Sequence, residues 1–409
     1  MWRSRWRSGE RHEALSRIRT DGPLRRTLAA FALFRVAELS VWVALTAYAF
    51  EVGGIRESAA LLVAQLVPAA MFALGVGALV HRIGAVRVLR AGYAVQTCGL
   101  VIAASVLAGG GPRLVAYAGA VLAATAVSAT RPSQSVLLPS VVDGPAQLTA
   151  ANVVIGTIDG AAALVGPAFA AVLMSVVGAW SVLAVMACAT LTATGLVWRM
   201  RQVVPSASDD CSVRAGLRAV AGAPGPRVVV LGLGVHSILY GAIDVLAVVI
   251  AVDQLRRPEA FAGWVTAAFG AGMLVAGLVS FAVLGQRRLA PGIIAAAVGV
   301  GASLALVSLA DRRAAAVLVL MGACGLSASL YELTSRMLLQ RISGLDVLGH
   351  VFSLVEAVQM AMLAVGSASV PFVVHALGTR WAPAGVGALM VLTIAILGPA
   401  LVRVDRRAH

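Results

Sequence analysis

Thr130-Arg131-Pro132-Ser133-Gln134, then Pro139 and Asp143-Gly144-Pro145, then Asn152, Asp159 and Gly166-Pro167 form the stretch whose reading decides the fold. The chain around it is apolar. The stretch therefore reads as two membrane helices joined by a tight loop, each helix carrying a charge. An ionisable group at membrane depth costs about 2.5 to 3.5 kcal/mol on insertion scales, so such groups face a bundle interior or a water-filled path. A polar interior between helices is what a transporter needs.

The composition agrees with a membrane span reading. Sixty per cent of the 409 residues are apolar and 12% are charged. With a mean hydropathy of +0.92, a soluble globular chain is excluded. Apolar runs long enough to cross a core of about 30 Å lie near 27–50, 58–80, 88–108, 114–138, 148–177, 179–198, 227–252, 261–284, 291–310, 314–338, 350–376 and 383–402. The expectation is an all-α polytopic membrane protein of twelve transmembrane helices in two six-helix halves. The Arg-rich residues 1–26 form a tail, 27–198 the first half, 199–226 a polar linker with a short amphipathic run from Val213 to Val220, 227–403 the second half and 404–409 a second tail. Residues 1–26 lack the apolar core and small-residue site of a cleavable signal, so the first span is expected to be retained.

All 32 basic residues are Arg, and their placement gives orientation. With the N-terminal tail inside, 23 fall in inside segments, seven in outside segments, and Arg35 and Arg131 lie within spans. Both termini and the linker are thus expected to be cytoplasmic. This bias also accounts for the net charge of +14 without nucleic acid as a partner. Trp2 and Trp6 among the tail's Arg residues suit contact with membrane lipid. The four widely spaced cysteines offer no disulfide framework.

Chemistry-bearing residues are few. There is no HExxH, no Walker loop with Lys and no G-x-S-x-G elbow, so no catalytic site, metal or cofactor is expected, and transport would be secondary rather than nucleotide-driven. Five acids lie within spans: Glu38, Asp159, Asp244, Glu332 and Glu356. On the first span Arg35, Glu38, Trp42 and Thr46 share a face, and on the seventh His236, Tyr240 and Asp244 follow at i+4 steps. Each stripe reads as a cavity wall. On the fifth, Asn152 and Asp159 share a face with Gly166; on the eleventh, Ser353, Glu356, Gln359 and Met360 cluster. Glu332 precedes Arg336 by four and reads as a local ion pair. Glu38, one turn from Arg35, is the expected protonation site. A faint repeat supports two related halves: Arg131 to Gln134 ends the fourth span as Arg336 to Gln340 ends the tenth.

Gly77-Ala78-Leu79-Val80-His81-Arg82-Ile83-Gly84-Ala85-Val86-Arg87 resembles the G-x-x-x-D-R-x-G-R-R signature between helices two and three of the major facilitator superfamily. Gly77, Arg82 and Gly84 match, Arg87 supplies a displaced base, and His81 replaces the signature Asp. Pro132-Ser133-Gln134, Leu138-Pro139, Ala151-Asn152 and Gly349-His350-Val351-Phe352 resemble elements of its bacterial branch of drug and natural-product exporters, which includes the enterobactin exporter and macrolide efflux proteins. Gly166-Pro167 resembles the antiporter motif of helix five and is expected to serve packing. The resemblance covers 27–402. It implies alternating access in a bacterial plasma membrane, by a monomer, with export of a small amphipathic compound in exchange for protons. Arg131, Gln134 and Asn152 would join Arg35, Glu38, Trp42, Asp159, His236, Tyr240, Asp244 and Glu356 around the substrate cavity, and Gly77, His81, Arg82, Gly84 and Arg87 would form a cytoplasmic gate. Import of a nutrient or siderophore, and a non-transporting membrane sensor or scaffold, are the alternatives.

Overall fold

The computed structural model describes residues 21–138, 141–142, 145–198, 200, 220, 222, 224–283, 288–343 and 345–407, and in these every regular element is a helix. Residues 1–20 of the Arg-rich tail, Cys211 and the amphipathic run of the linker up to 219 lie outside the described residues. In chain order the helices are α1 (Gly22–Ile83), α2 (Ala85–Ala108), α3 (Arg113–Val127), α4 (Thr130–Leu137), α5 (Pro145–Val176), α6 (Ala179–Trp198), α7 (Pro224–Val249, continued by a π turn Ile250–Gln254), α8 (Phe261–Val283), α9 (Ala290–Leu309), α10 (Ala314–Ile342) and α11 (Leu345–Arg407).

α1 has 62 residues and α11 has 63. A straight helix of that length would run about 93 Å, three times the hydrocarbon core. Both are instead broken, at glycines that fall in the gaps the hydropathy pattern leaves at 51–57 and 377–382. Gly54 (φ 66°, ψ −161°) and Gly378 (φ 76°, ψ 161°) adopt backbone angles that an L side chain strongly disfavours. Each helix is thereby two arms, 22–52 and 55–83 in α1, 345–377 and 379–407 in α11.

Of the boundaries that differ from the hydropathy reading, three have a clear local reason. α1 begins at Gly22 rather than 27 because Asp21 caps it, its carboxylate accepting from the Leu24 N–H at 3.2 Å. The expected fourth span, 114–138, is interrupted between Val127 and Thr130. Pro132 has no N–H to give the Ser128 carbonyl, so the helical ladder breaks there. At the far end, 404–407 continues α11 instead of forming a tail. Asp405 is 2% exposed and accepts from the Leu289 and Ala290 N–H groups, both at 3.0 Å, capping the start of α9.

The helices pack in two sets, α1–α6 and α7–α11, joined where α5 lies along α8 and where α1 meets α7 and α11. Close approach of backbones, through small residues, holds each set together. A Cβ on Gly166 of α5 would sit 3.2 Å from the Val36 carbonyl of α1, and Ser40 donates to the Gly166 carbonyl at 2.9 Å. In the second set Gly366 of α11 meets the Ile238 carbonyl of α7, and Ser367 donates to the Gly241 carbonyl at 3.0 Å. The pair α1/α5 is thus repeated as α7/α11, which is the internal relation that the two halves' sequences show only faintly.

The two sets are packed together at one end. Ala47, Ala59 and Leu62, either side of Gly54, belong to the core of the second set. Gly263 and Gly270 of α8 press on the α5 backbone at Pro167 and Ala163. Toward the chain termini, the buried clusters around Phe34, Val76, Tyr93 and Val197, and around Leu24 and Leu138, contain first-set residues only, among those described.

Candidate functional site

Two ion networks lie in the apolar bundle, one in each set. In the first, Arg35 of α1 donates Nε to the Asp159 carboxylate of α5 at 2.5 Å and pairs through Nη1 with Glu38, one turn along its own helix. Arg35 and Glu38 are nearly enclosed, with side chains 11% and 18% exposed, while Asp159 is 31% exposed. In the second, Arg336 of α10 pairs with Glu332 at 3.1 Å and with Glu356 of α11 at 3.0 Å, and donates to Gln359 at 2.7 Å. Gln359 in turn donates to Glu332 at 3.4 Å. Glu356 is the open member, with 49% of its side chain exposed.

The networks share a form. Among the described residues, each sets one guanidinium against two carboxylates. In each, one carboxylate is on the arginine's own helix and the other, more exposed, is on a neighbouring helix.

The α7 stripe lies between them in chemistry. His236 is fully buried, and its ring meets Tyr240 edge-on (centroids 4.9 Å apart) and lies tilted against Tyr331 of α10 (4.8 Å). Tyr240 meets Phe269 of α8 edge-on at 5.4 Å. Neither His236 nitrogen makes a hydrogen bond of ordinary geometry, although the Ala328 backbone lies alongside; Glu332 and Arg336 are the charged groups that act on the ring. Asp244 faces Trp42 across the two sets, and the indole N–H points at the carboxylate without closing a standard hydrogen bond.

The remaining sequence-derived positions are placed as follows. Gln134 is buried and donates to the Tyr93 hydroxyl of α2 at 3.3 Å, so it serves the contact between α2 and α4. Arg82 and Arg87 are exposed on either side of Gly84, whose φ of 89° makes the turn from α1 to α2. The side chains of Gly77, His81, Arg131 and Asn152 lie outside the described residues. Gly166-Pro167 lies at the α1/α5 approach and beside Gly263 of α8. Sequence spacing missed the aromatic partners Tyr331 and Phe269, whose only signal is their place in apolar helices beside polar residues. It also missed Arg90, which donates to the Val197 and Met200 carbonyls and so ties α2 to the end of α6.

No protein-family model and no curated protein sequence matches the chain. Solved structures do. The fucose:proton symporter of E. coli is 14% identical, with a TM-score of 0.59 over 92% of this chain and 98% of that one. A D-xylose–proton symporter is 11% identical, with a TM-score of 0.75 over 91% and 96%. A POT family transporter in complex with 5-aminolevulinic acid is 11% identical, with a TM-score of 0.72 over 92% and 96%. The chain has the major facilitator fold. In that fold the ion networks of α1/α5 and α10/α11 belong to its two different halves, and each of the compared structures is a transporter rather than an enzyme.

Proposed function

We propose that the chain is a secondary transporter of twelve membrane crossings, with α1 and α11 each supplying two and α3 with α4 supplying one, that exports a small amphipathic compound in exchange for protons. The observation that carries this reading is the pair of two-to-one networks, one per half. A carboxylate left unneutralised at membrane depth is costly, so it takes up whatever cation reaches it. A proton or a cationic group of the substrate meets that need equally well, and the two therefore compete for Asp159 and Glu356. Competition at one site is the chemical basis of exchange.

Arg35 and Glu38 sit on one helix, one turn apart. Asp159 comes from another helix and shares Arg35 with Glu38. We assign the exchangeable proton to Asp159 in place of Glu38 because Asp159 is the more open of the two, 31% exposed against 18%. With the Gly54 end packed tightly and the opposite end taken as cytoplasmic from the Arg bias, the halves would part toward the cytoplasm. Alternating access then consists of parting Gly263 and Gly270 from α5 while the opposite ends close. Proton coupling is drawn from the two compared sugar symporters, and the outward direction from the exporter-like motifs.

The experiment is efflux and counterflow in inverted vesicles against a panel of amphipathic amines, acids and neutral compounds, with and without a proton gradient. Proton-dependent flux of at least one amine supports the proposal. Flux down the gradient in the same direction as the proton favours the importer. Absence of flux across the panel favours the sensor or scaffold.

A further inference from the structure

A groove of about 670 Å³ runs between the second arm of α1 and the first arm of α11, within the span of about 300–1,000 Å³ usual for small-ligand sites. It is separate from both ion networks. Ala60 and Ala64 on one wall are too small to fill the space opposite Pro371 and Phe372 on the other. Phe372 is 76% exposed, so the groove opens sideways to the surroundings of the bundle. From Arg56 to Ala64 is about 12 Å along the helix at 1.5 Å per residue, so the groove reaches from the Gly54 end toward the middle of the membrane.

Its mouth is polar and basic. Arg56 and His375 are both exposed there, near the turns at Gly54 and Gly378. The nearest acid in sequence, Glu57, is already engaged by the Tyr117 hydroxyl at 2.7 Å and by Arg113 at 3.5 Å. Among the described residues Arg56 has no ion pair. A long apolar channel that ends at an uncompensated guanidinium matches an acyl chain that ends at a phosphate.

We propose that this groove binds an anionic phospholipid, with one acyl chain along Ala60 and Ala64 and the phosphate on Arg56 beside His375. Inside a bilayer one acyl chain packs about as well as another, so selectivity comes from the headgroup charge. The two walls belong to different halves of the bundle. A lipid that touches both therefore favours the state in which those ends are packed together, in proportion to its preference for that state.

The test is native mass spectrometry of the purified full chain with dioleoyl phosphatidylglycerol or dioleoyl phosphatidylcholine, with inorganic phosphate as a separate arm. The expected result is at least fivefold greater retention of phosphatidylglycerol. Arg56→Gln should bring that ratio near one, Arg56→Lys should keep most of it, and Ala60→Phe should remove the bound lipid. Thermal melting with added lipid provides a second readout in wild type, where phosphatidylglycerol alone should raise Tm. Equal retention of the two lipids, or a preference that survives Arg56→Gln, overturns the proposal. So does stabilisation by inorganic phosphate with no lipid retained, which would mean an anion site without a chain site.

Discussion

The guanidinium of Arg35 and the carboxylate of Asp159, 124 residues apart in sequence, meet at 2.5 Å while Arg35 also holds Glu38. The two acids differ in access, Asp159 being 31% exposed and Glu38 18%. Asp159→Asn should abolish proton-driven flux while substrate counterflow continues and loses its pH dependence. Glu38→Gln should keep the pH dependence, because Asp159 still shares the site. Vesicle flux measured from pH 5.5 to 8.5 separates them, and a Glu38→Gln profile that is flat while Asp159→Asn remains parental would return the role to Glu38.

Removing the cation tests the charge arithmetic. Arg35→Met leaves two carboxylates facing each other, and breaking a buried pair in this way costs about 3–5 kcal/mol. Combining it with Glu38→Gln and Asp159→Asn should restore most of the lost Tm, because no buried charge then remains. A triple variant as unstable as Arg35→Met alone would show that the loss comes from packing of the guanidinium.

The seam between the halves makes a further prediction. A Cβ on Gly270 would overlap the Ala163 carbonyl of α5. Gly270→Val should therefore destabilise the state packed at the Gly54 end by about 1–3 kcal/mol, the usual cost of overpacking. In a background with Cys98, Cys188, Cys211 and Cys324 replaced, a cysteine introduced at Val52 should become more reactive to an impermeant maleimide. Unchanged reactivity with a normal Tm would show that this seam does not set the conformational balance.

Parts of this arrangement were legible in the sequence, and the reasons for the rest are physical. The pair Glu332 and Arg336 follows from i,i+4 spacing, and the breaks at Gly54 and Gly378 from gaps in hydropathy. The meeting of Arg35 with Asp159 depends on which helices are neighbours, which no local spacing encodes. Gly263 and Gly270 are two among 42 glycines, and only the approach of α5 distinguishes them. Asp405 reads as a solvated tail residue until α9 is placed beside it.

Topology has an independent check. The 23 to 7 Arg asymmetry is the ground for expecting both termini on the cytoplasmic face. Reporter fusions at residues 1 and 409 should both give the cytoplasmic signal. A fusion that reads as external at one terminus alone would mean an odd number of crossings, and at both a reversed orientation.

His236 provides the last prediction. An imidazole that is fully buried with neither nitrogen in a hydrogen bond of ordinary geometry normally weakens a fold, because a desolvated polar group that is poorly partnered costs up to about 1–3 kcal/mol. Phe fits the same aromatic contacts with Tyr240 and Tyr331 and removes that cost. His236→Phe should therefore leave Tm unchanged or raise it. If the ring were only packing, flux would be unchanged as well. Glu332 and Arg336, however, act electrostatically on the ring, and His236 touches Tyr331, the residue before Glu332 on α10. Proton-driven flux in His236→Phe should accordingly fall at least tenfold in a stable protein, with counterflow retained. A variant that is as stable as the parent and pumps at the parental rate would reduce His236 to an aromatic spacer.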